Sequence, residues 1–139
     1  MAAIGRGGYV LVDFAGGDAA RRAVIIATGS EVPLALGARQ ALAADGIDVR
    51  VVSMPCTQAF DRQDDPYRRD VLPAGIPRIA VEAGATDGWR KYVGAVDDPR
   101  AAVVGIDRFG ESAPAAALFK YFGFTTEHVA DAVRGVVGR

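Results

Sequence analysis

Two junctions in the sequence carry the residue types that bind anions at the start of a helix. Gly29 and Ser30 follow one short apolar run, and Gly110 and Ser112 follow another. Each pair precedes a segment with helical spacing of apolar residues, which is typical of a strand that turns into a helix. The main-chain N–H groups at such a start can bind a small anion or an effector, or the serines can simply cap the helices. We expect capping alone.

The remaining residues with catalytic chemistry form no recognisable constellation. His128 is the single histidine and falls in the first turn of the last predicted helix, where we expect a partly exposed side chain without a catalytic partner. Cys56 is the single cysteine, which excludes an internal disulfide and a cysteine-based metal site. No basic residue adjoins it to stabilise a thiolate, so we expect a packed small side chain.

A cluster of acidic residues lies in a polar stretch after Pro55. The aspartates are interleaved with arginines, which is typical of a solvated, salt-bridged surface. A metal site instead needs ligands that converge on a fixed geometry, so we expect no metal here. Neither glycine-rich nucleotide-binding motif occurs in the chain. The cluster consists of Asp61, Asp64, Asp65 and Asp70, with Arg62, Arg68 and Arg69 between them.

The composition is typical of one soluble globular domain. The chain has 139 residues, of which 50% are hydrophobic and 24% are charged, with a formal net charge of −1. That balance gives no basic surface for nucleic acid. No apolar run approaches the roughly 20 residues that span a bilayer, and the first residues do not form a signal peptide. We therefore expect a cytoplasmic protein without nucleic-acid or membrane partners.

Segments with strand and helix patterns alternate along the chain. The predicted strands are 8–14, 23–28, 49–53, 78–82 and 102–106, and the predicted helices follow Ser30, Ser112 and Thr125, with short ones at 66–72 and 89–93. Such alternation favours a mostly parallel sheet covered on both sides, and thus a three-layer α/β/α domain. In the first strand, Tyr9 and Leu11 should occupy one face, and Val10 and Val12 the other.

Short phrases spread in order over nearly the whole chain resemble one enzyme family. The most specific are Ala27-Thr28-Gly29-Ser30-Glu31-Val32, Val51-Val52-Ser53-Met54-Pro55 and Phe109-Gly110-Glu111-Ser112-Ala113-Pro114, and others lie at 7–11, 60–63, 81–84, 89–94 and 122–125. Together they resemble the C-terminal domain of transketolase. The resemblance implies a five-stranded, mostly parallel sheet with the first strand antiparallel. It also implies that residues 1–7 end an interdomain linker and that 8–139 form the domain.

The resemblance also implies what the complete enzyme does. Transketolases depend on thiamine diphosphate and a divalent metal, Mg²⁺ or Ca²⁺, and transfer a two-carbon ketol unit from a ketose phosphate to an aldose phosphate in the pentose phosphate pathway. They are homodimers that hold the cofactor through a Gly-Asp-Gly…Asn segment of their first domain. This chain has no asparagine and no Gly-Asp-Gly. We therefore expect no catalytic, cofactor-binding or metal-binding residue in it.

Three roles are consistent with a domain of this kind. The first is a structural, dimer-supporting or regulatory domain that packs on the preceding domains of the same enzyme. The second is the small subunit of a split transketolase, which needs a partner subunit. The third is a free-standing α/β domain that binds an effector at its strand ends.

The missing cofactor motif leads to a first prediction. The chain alone should show no ketol transfer and no specific binding of thiamine diphosphate, because its sequence lacks the residues that the family uses for both. Calorimetric titration with thiamine diphosphate and Mg²⁺ tests this expectation. Saturable binding in the micromolar range would contradict it.

Overall fold

The computed structural model describes residues 7–16, 21–28, 31–73, 75–82, 90–93, 101–105 and 126–137. Five strands lie in these ranges: β1 (Tyr9–Val12), β2 (Arg21–Ala27), β3 (Ile47–Ser53), β4 (Arg78–Glu82) and β5 (Ala101–Gly105). The helices are α1 (Val32–Ala43), α2 (Thr57–Asp61), α3 (Asp65–Val71), α4 (Arg90–Val93) and α5 (Thr126–Val137). None of these helices is both long and apolar enough to cross a membrane.

The strands form one mixed sheet in the order β1-β3-β2-β4-β5. Strand β1 runs antiparallel to β3, and the other neighbouring strands are parallel. In the centre, Ile25 of β2 pairs with Val51 on one side and with Ile79 on the other. The structure thus confirms the predicted sheet with its antiparallel first strand.

Strand β2 is apolar along most of its length because helices cover both of its faces. Ala23, Ile25 and Ala27 pack in a core with α1 and α5, whereas Val24 and Ile26 pack in a second core with α2, α3 and α4. All five side chains have no exposed surface. The sheet is therefore the middle layer of the predicted α/β/α arrangement.

Helices α1 and α5 pack together on the first face of the sheet. Val129, Val133 and Val136 form the buried stripe of α5, at the spacing that places residues on one helix face. Gly37 of α1 lies against Thr126, where a Cβ on the glycine would come within 3.0 Å of the threonine methyl carbon. The absence of a side chain at Gly37 thus lets the two helices approach closely.

Strand β1 differs from its predicted pattern. A bulge separates the pairs Val10–Val52 and Val12–Val51, which leaves Leu11 as the extra residue. Val10 consequently packs against the core on the side of α2 to α4, and Val12 against the core on the side of α1 and α5. The prediction that Val10 and Val12 share a face is wrong, since one inserted residue reverses the alternation.

Other element boundaries also depart from the predictions. Strand β3 begins at Ile47, two residues earlier than predicted, directly after the turn at Gly46, whose φ of +75° suits glycine. Helix α2 was not predicted. Strand β5 lies at the edge of the described sheet. The helix predicted after Ser112, Thr125 as cap of the last helix, and Trp89 lie outside the described residues.

The central position of β2 gives a stability prediction. Ile25→Ala should lower the free energy of unfolding by about 2–5 kcal/mol, because it leaves a cavity between strands that cannot close around it. Leu36→Ala is the matched control, since Leu36 lies on α1 with 37% of its surface exposed and should cost at most about 0.5 kcal/mol. Urea denaturation of both variants measures the difference, and equal losses would contradict the central placement of Ile25.

Candidate functional site

The four residues of the predicted anion junctions, Gly29, Ser30, Gly110 and Ser112, lie outside the described residues. Whether an anion or effector binds at these residues is therefore untested, and helix capping by Ser112 stays a prediction.

The described residues around the first junction correct one detail of it. Helix α1 has Glu31 rather than Ser30 as its N-cap, and Glu31 makes no side-chain capping bond. The Glu31 N–H donates to the Thr28 carbonyl at 2.8 Å. The Thr28 hydroxyl also donates to the Glu31 carboxylate at 3.2 Å, and Glu31 is 2% exposed. The chain thus places its own carboxylate at this helix start, where the helix dipole favours negative charge.

Of the two residues considered as nucleophile or base, one lies where it was predicted. His128 is exposed on α5, as expected. Cys56 is exposed, so the prediction of a packed thiol is wrong. Its main chain explains this position, because the Cys56 N–H donates to the Gly7 carbonyl at 3.0 Å and its own carbonyl accepts from Phe60. Main-chain hydrogen bonds, rather than packing of its side chain, hold Cys56 in this position.

The aspartate cluster serves the local structure, as predicted. Asp64 caps α3 by accepting a hydrogen bond from the Tyr67 N–H at 3.0 Å. Asp65 pairs with Arg68 and, at 3.9 Å, with Arg69. Asp61 accepts from the Tyr92 hydroxyl at 2.8 Å. In the part of the chain that the structure describes, no group of three or more acidic, histidine or cysteine side chains could hold a metal ion.

A cavity of about 480 Å³ lies between α2, α3 and α4, above the start of β4. Three arginines line it, namely Arg68, Arg69 and Arg78, and we call it the arginine cavity. Its other lining residues are Phe60, Asp61, Asp65, Leu72 and Tyr92. This donor set does not fit a metal–diphosphate complex, since both carboxylates are already engaged by Tyr92 or by arginines. The lining thus combines three arginines and two aspartates with apolar groups such as Phe60 and Leu72.

Arg78 connects the elements that form the walls of this cavity. Its guanidinium donates to the carbonyls of Tyr92, Leu72 and Pro73 at 2.9–3.0 Å. Burial lowers the pKa of Arg78 below its ordinary value, yet a guanidinium keeps its proton at neutral pH. No carboxylate among the described residues forms an ion pair with it. The cavity therefore contains a half-buried positive charge held by neutral acceptors.

A second arginine with a structural role, Arg50, lies on β3. It forms an ion pair with Asp13 at 2.8 Å and donates to the Asp70 carbonyl at 2.6 Å. Its guanidinium also lies 4.8 Å from the centre of the Phe14 ring. The Phe14 N–H, with Arg50 as a further cause, lowers the pKa of Asp13. The structural roles of Arg50 and Arg78 were not predicted from the sequence. An arginine within, or at the start of, an otherwise apolar strand pattern is nevertheless a signal of such a role.

The segment Gly7–Gly8 is held close against α2 and α3. The Gly8 carbonyl accepts from the Tyr67 hydroxyl at 2.7 Å, and the Gly7 carbonyl accepts from Cys56. Gly7 has a φ of +84°, and a Cβ there would lie 2.2 Å from the Cys56 carbonyl oxygen. Only glycine fits this approach. The beginning of the described chain thus has a fixed direction relative to the sheet.

Comparison with known proteins decides the family. The family model described as the transketolase-like TK C-terminal domain matches residues 7–125. The chain belongs to the transketolase C-terminal domain family. It is 55% identical over 130 residues to Transketolase 1 of Vibrio cholerae and 54% identical over 130 residues to Transketolase 1 of Escherichia coli, which cover 93% of this chain. The chain spans only about a fifth of these relatives, 18% and 19% of their lengths.

Solved structures of transketolases share the fold. Transketolase from Leishmania mexicana matches with a TM-score of 0.85 and 44% identity, over 99% of this chain and 19% of that one. A chain described as a split-gene transketolase in an inactive β4 tetramer matches with a TM-score of 0.70 and 27% identity, over 95% of this chain and 43% of that one. The mixed five-stranded sheet is therefore the fold of this family. Helix α5 lies beyond the range that the family model matches, although Val129 and Val133 belong to the core.

The close approach of Gly7 gives a prediction with an internal control. Gly7→Ala and Gly75→Ala both place alanine at a φ of +84°, but nothing lies within 4 Å of a Cβ at Gly75. Gly75→Ala should cost about 1–2 kcal/mol of unfolding free energy from backbone strain alone. Gly7→Ala should cost about 2 kcal/mol more, because its methyl group overlaps the Cys56 carbonyl. Chemical denaturation measures both, and equal costs would mean that Gly7 can move away from α2.

Proposed function

We propose that this chain works as the C-terminal domain of a transketolase, with a structural, dimer-supporting role and no catalytic residue of its own. The observation that carries the proposal is the family match over residues 7–125 in a chain that spans about a fifth of its relatives. The complete enzyme would transfer a two-carbon ketol unit between sugar phosphates in the cytoplasmic pentose phosphate pathway. Thiamine diphosphate and a divalent metal would be held by its other domains, and the active form would be a homodimer.

The charged groups of the described chain support a structural role. Arg50 links β3 to the segment after β1 and to α3, and Arg134 of α5 donates to Asp45 after α1 at 2.9 Å. These interactions join elements that are distant in sequence. Charges engaged in this way stabilise the arrangement of elements and are not poised for proton transfer or nucleophilic attack.

The Gly7–Gly8 segment supports a domain that follows others in one polypeptide. In a C-terminal domain the preceding chain arrives at this segment, which α2 and α3 hold through Cys56 and Tyr67. A fixed direction at this point would limit how the domain can rotate against the one before it. Such a restraint suits a domain that must pack in one orientation in the assembled enzyme.

The small subunit of a split transketolase is a second candidate. The match to the split-gene transketolase chain favours it, since that protein shows the fold in a separately encoded chain. In this case a partner subunit would supply the cofactor-binding residues. That solved chain is also more than twice as long as the segment matched here, because the match covers 43% of it.

A domain replacement tests the proposed function. In Transketolase 1 of Vibrio cholerae, the matching segment is replaced by this chain, and ketol transfer is measured with saturating thiamine diphosphate and Mg²⁺. The chimera should retain ketol-transfer activity, because 55% identity over 130 residues is expected to preserve the fold of the segment. The parent truncated before the segment is the control and should lose dimer stability and activity.

Two outcomes would contradict the proposal. One is a chimera that folds and binds thiamine diphosphate but has no activity, while the truncated parent remains active. The other is ketol transfer by this chain alone. Adding the chain in trans to the truncated parent distinguishes the second candidate, since only a separately encoded subunit should restore activity without a covalent link.

A further inference from the structure

We propose that the arginine cavity binds a small organic anion, a molecule with one phosphate group on a compact, partly apolar body. This inference goes beyond the proposed function, because a structural, dimer-supporting role needs no ligand in the cavity. The inference rests on three features of the cavity, which are an arginine without a carboxylate partner in the described ranges, the pair of arginines on α3, and the apolar part of the lining.

The first feature is the guanidinium of Arg78. Three of its five N–H groups donate to main-chain carbonyls, and it has no carboxylate partner in the described ranges. Removing a charge from water without a counter-charge is costly, and the three carbonyl dipoles compensate only part of that cost. A bound anion would supply the missing charge. The lowered pKa of Arg78 reflects the same burial.

The second feature is the pair of arginines on α3. Both Arg68 and Arg69 share one carboxylate, that of Asp65, so the pair has an excess positive charge. The side chain of Arg68 is 41% exposed and lines the cavity. The side chain of Arg69 is 80% exposed, so it can turn toward a ligand at little cost.

The third feature is the apolar part of the lining. Phe60 and Leu72 are buried, and the Tyr92 ring meets the Phe60 ring edge-on at 6.2 Å between centroids. These groups offer contact to carbon atoms rather than to a bare ion. The volume of about 480 Å³ also lies within the range of small-molecule sites, roughly 300–1,000 Å³. The cavity thus fits an organic phosphate better than inorganic phosphate.

Calorimetric titration of the full chain tests the chemical class. Phenyl phosphate should bind saturably, and inorganic phosphate more weakly, at constant ionic strength with chloride as the reference anion. Phenol should not bind, because it lacks the charge that Arg78 and Arg69 attract. Benzoate distinguishes a phosphate site from a general anion site. It should bind at least about threefold more weakly than phenyl phosphate, because a phosphate group offers the arginines more acceptor oxygens than a carboxylate does.

Matched variants locate the binding. Arg69→Ala should weaken phenyl phosphate binding by about three- to tenfold, as expected for the loss of one charge-assisted hydrogen bond. Arg62→Ala is the control, because Arg62 is an exposed arginine near the cavity but not in its lining. It should leave binding unchanged. Arg78→Lys keeps the positive charge but loses the planar set of five N–H donors of the guanidinium. Thermal unfolding shows whether this variant remains folded.

Three outcomes would overturn the proposal. The first is that phenyl phosphate shows no saturable binding. The second is that Arg62→Ala and Arg69→Ala weaken phenyl phosphate binding equally. The third is that the chain alone binds phenyl phosphate whereas the Vibrio cholerae chimera does not. The last outcome would mean that another domain covers the cavity in the assembled enzyme. An inactive chimera that still binds phenyl phosphate would contradict the proposed function alone, so the two failures are distinguishable.

Discussion

The burial of β2 on both faces is the constraint on which the rest of the structure depends. A strand without a solvent-facing side needs helices above and below the sheet, and its parallel neighbours need crossover connections. The buried part of β2, residues 23–27, is entirely apolar, and the polar side chains of this strand lie at one end. Arg78 lies at such an end, as the first residue of β4, and this position makes its guanidinium available to α3 and α4. The location of the arginine cavity thus follows from the layer arrangement.

Arginines provide most of the connections that the apolar core cannot make. Arg50, Arg78 and Arg134 each contact main-chain carbonyls or carboxylates of elements distant in sequence. A guanidinium suits this use because its five donors form a planar fork and its charge persists at all physiological pH values. The exposed ion pairs add little stability individually, whereas the half-buried bonds of Arg50 and Arg78 fix where α3 and α4 lie. Their main effect is to fix the positions of α3 and α4 rather than to raise the free energy of unfolding.

Periodicity predicted the three-layer arrangement, since the apolar run at β2 and the stripe of α5 each depend on local sequence alone. The antiparallel direction of β1 was expected only from the family resemblance. The bulge at Leu11 was not predictable, because it depends on how β1 meets β3. Short α2 was missed because five residues give too little periodic signal. Cys56 was misjudged since its exposure results from the Gly7 hydrogen bond, a contact between residues 49 positions apart. The arginine cavity could not be predicted from the sequence either, because its lining comes from four elements that only the tertiary structure brings together.

The Gly7–Gly8 segment and the arginine cavity share one packed aromatic group. The Gly7 carbonyl accepts a hydrogen bond from the Cys56 N–H, and the Gly8 carbonyl accepts one from the Tyr67 hydroxyl, so the segment is fixed beside α2 and α3. Phe60 contributes to both, because its ring lies 6.2 Å from Tyr67, which holds Gly8, and 6.2 Å from Tyr92 in the cavity wall. The same packed aromatic group therefore supports the Gly7–Gly8 segment and lines the arginine cavity. Because protein interiors are close-packed, a substitution at Phe60 would affect both places.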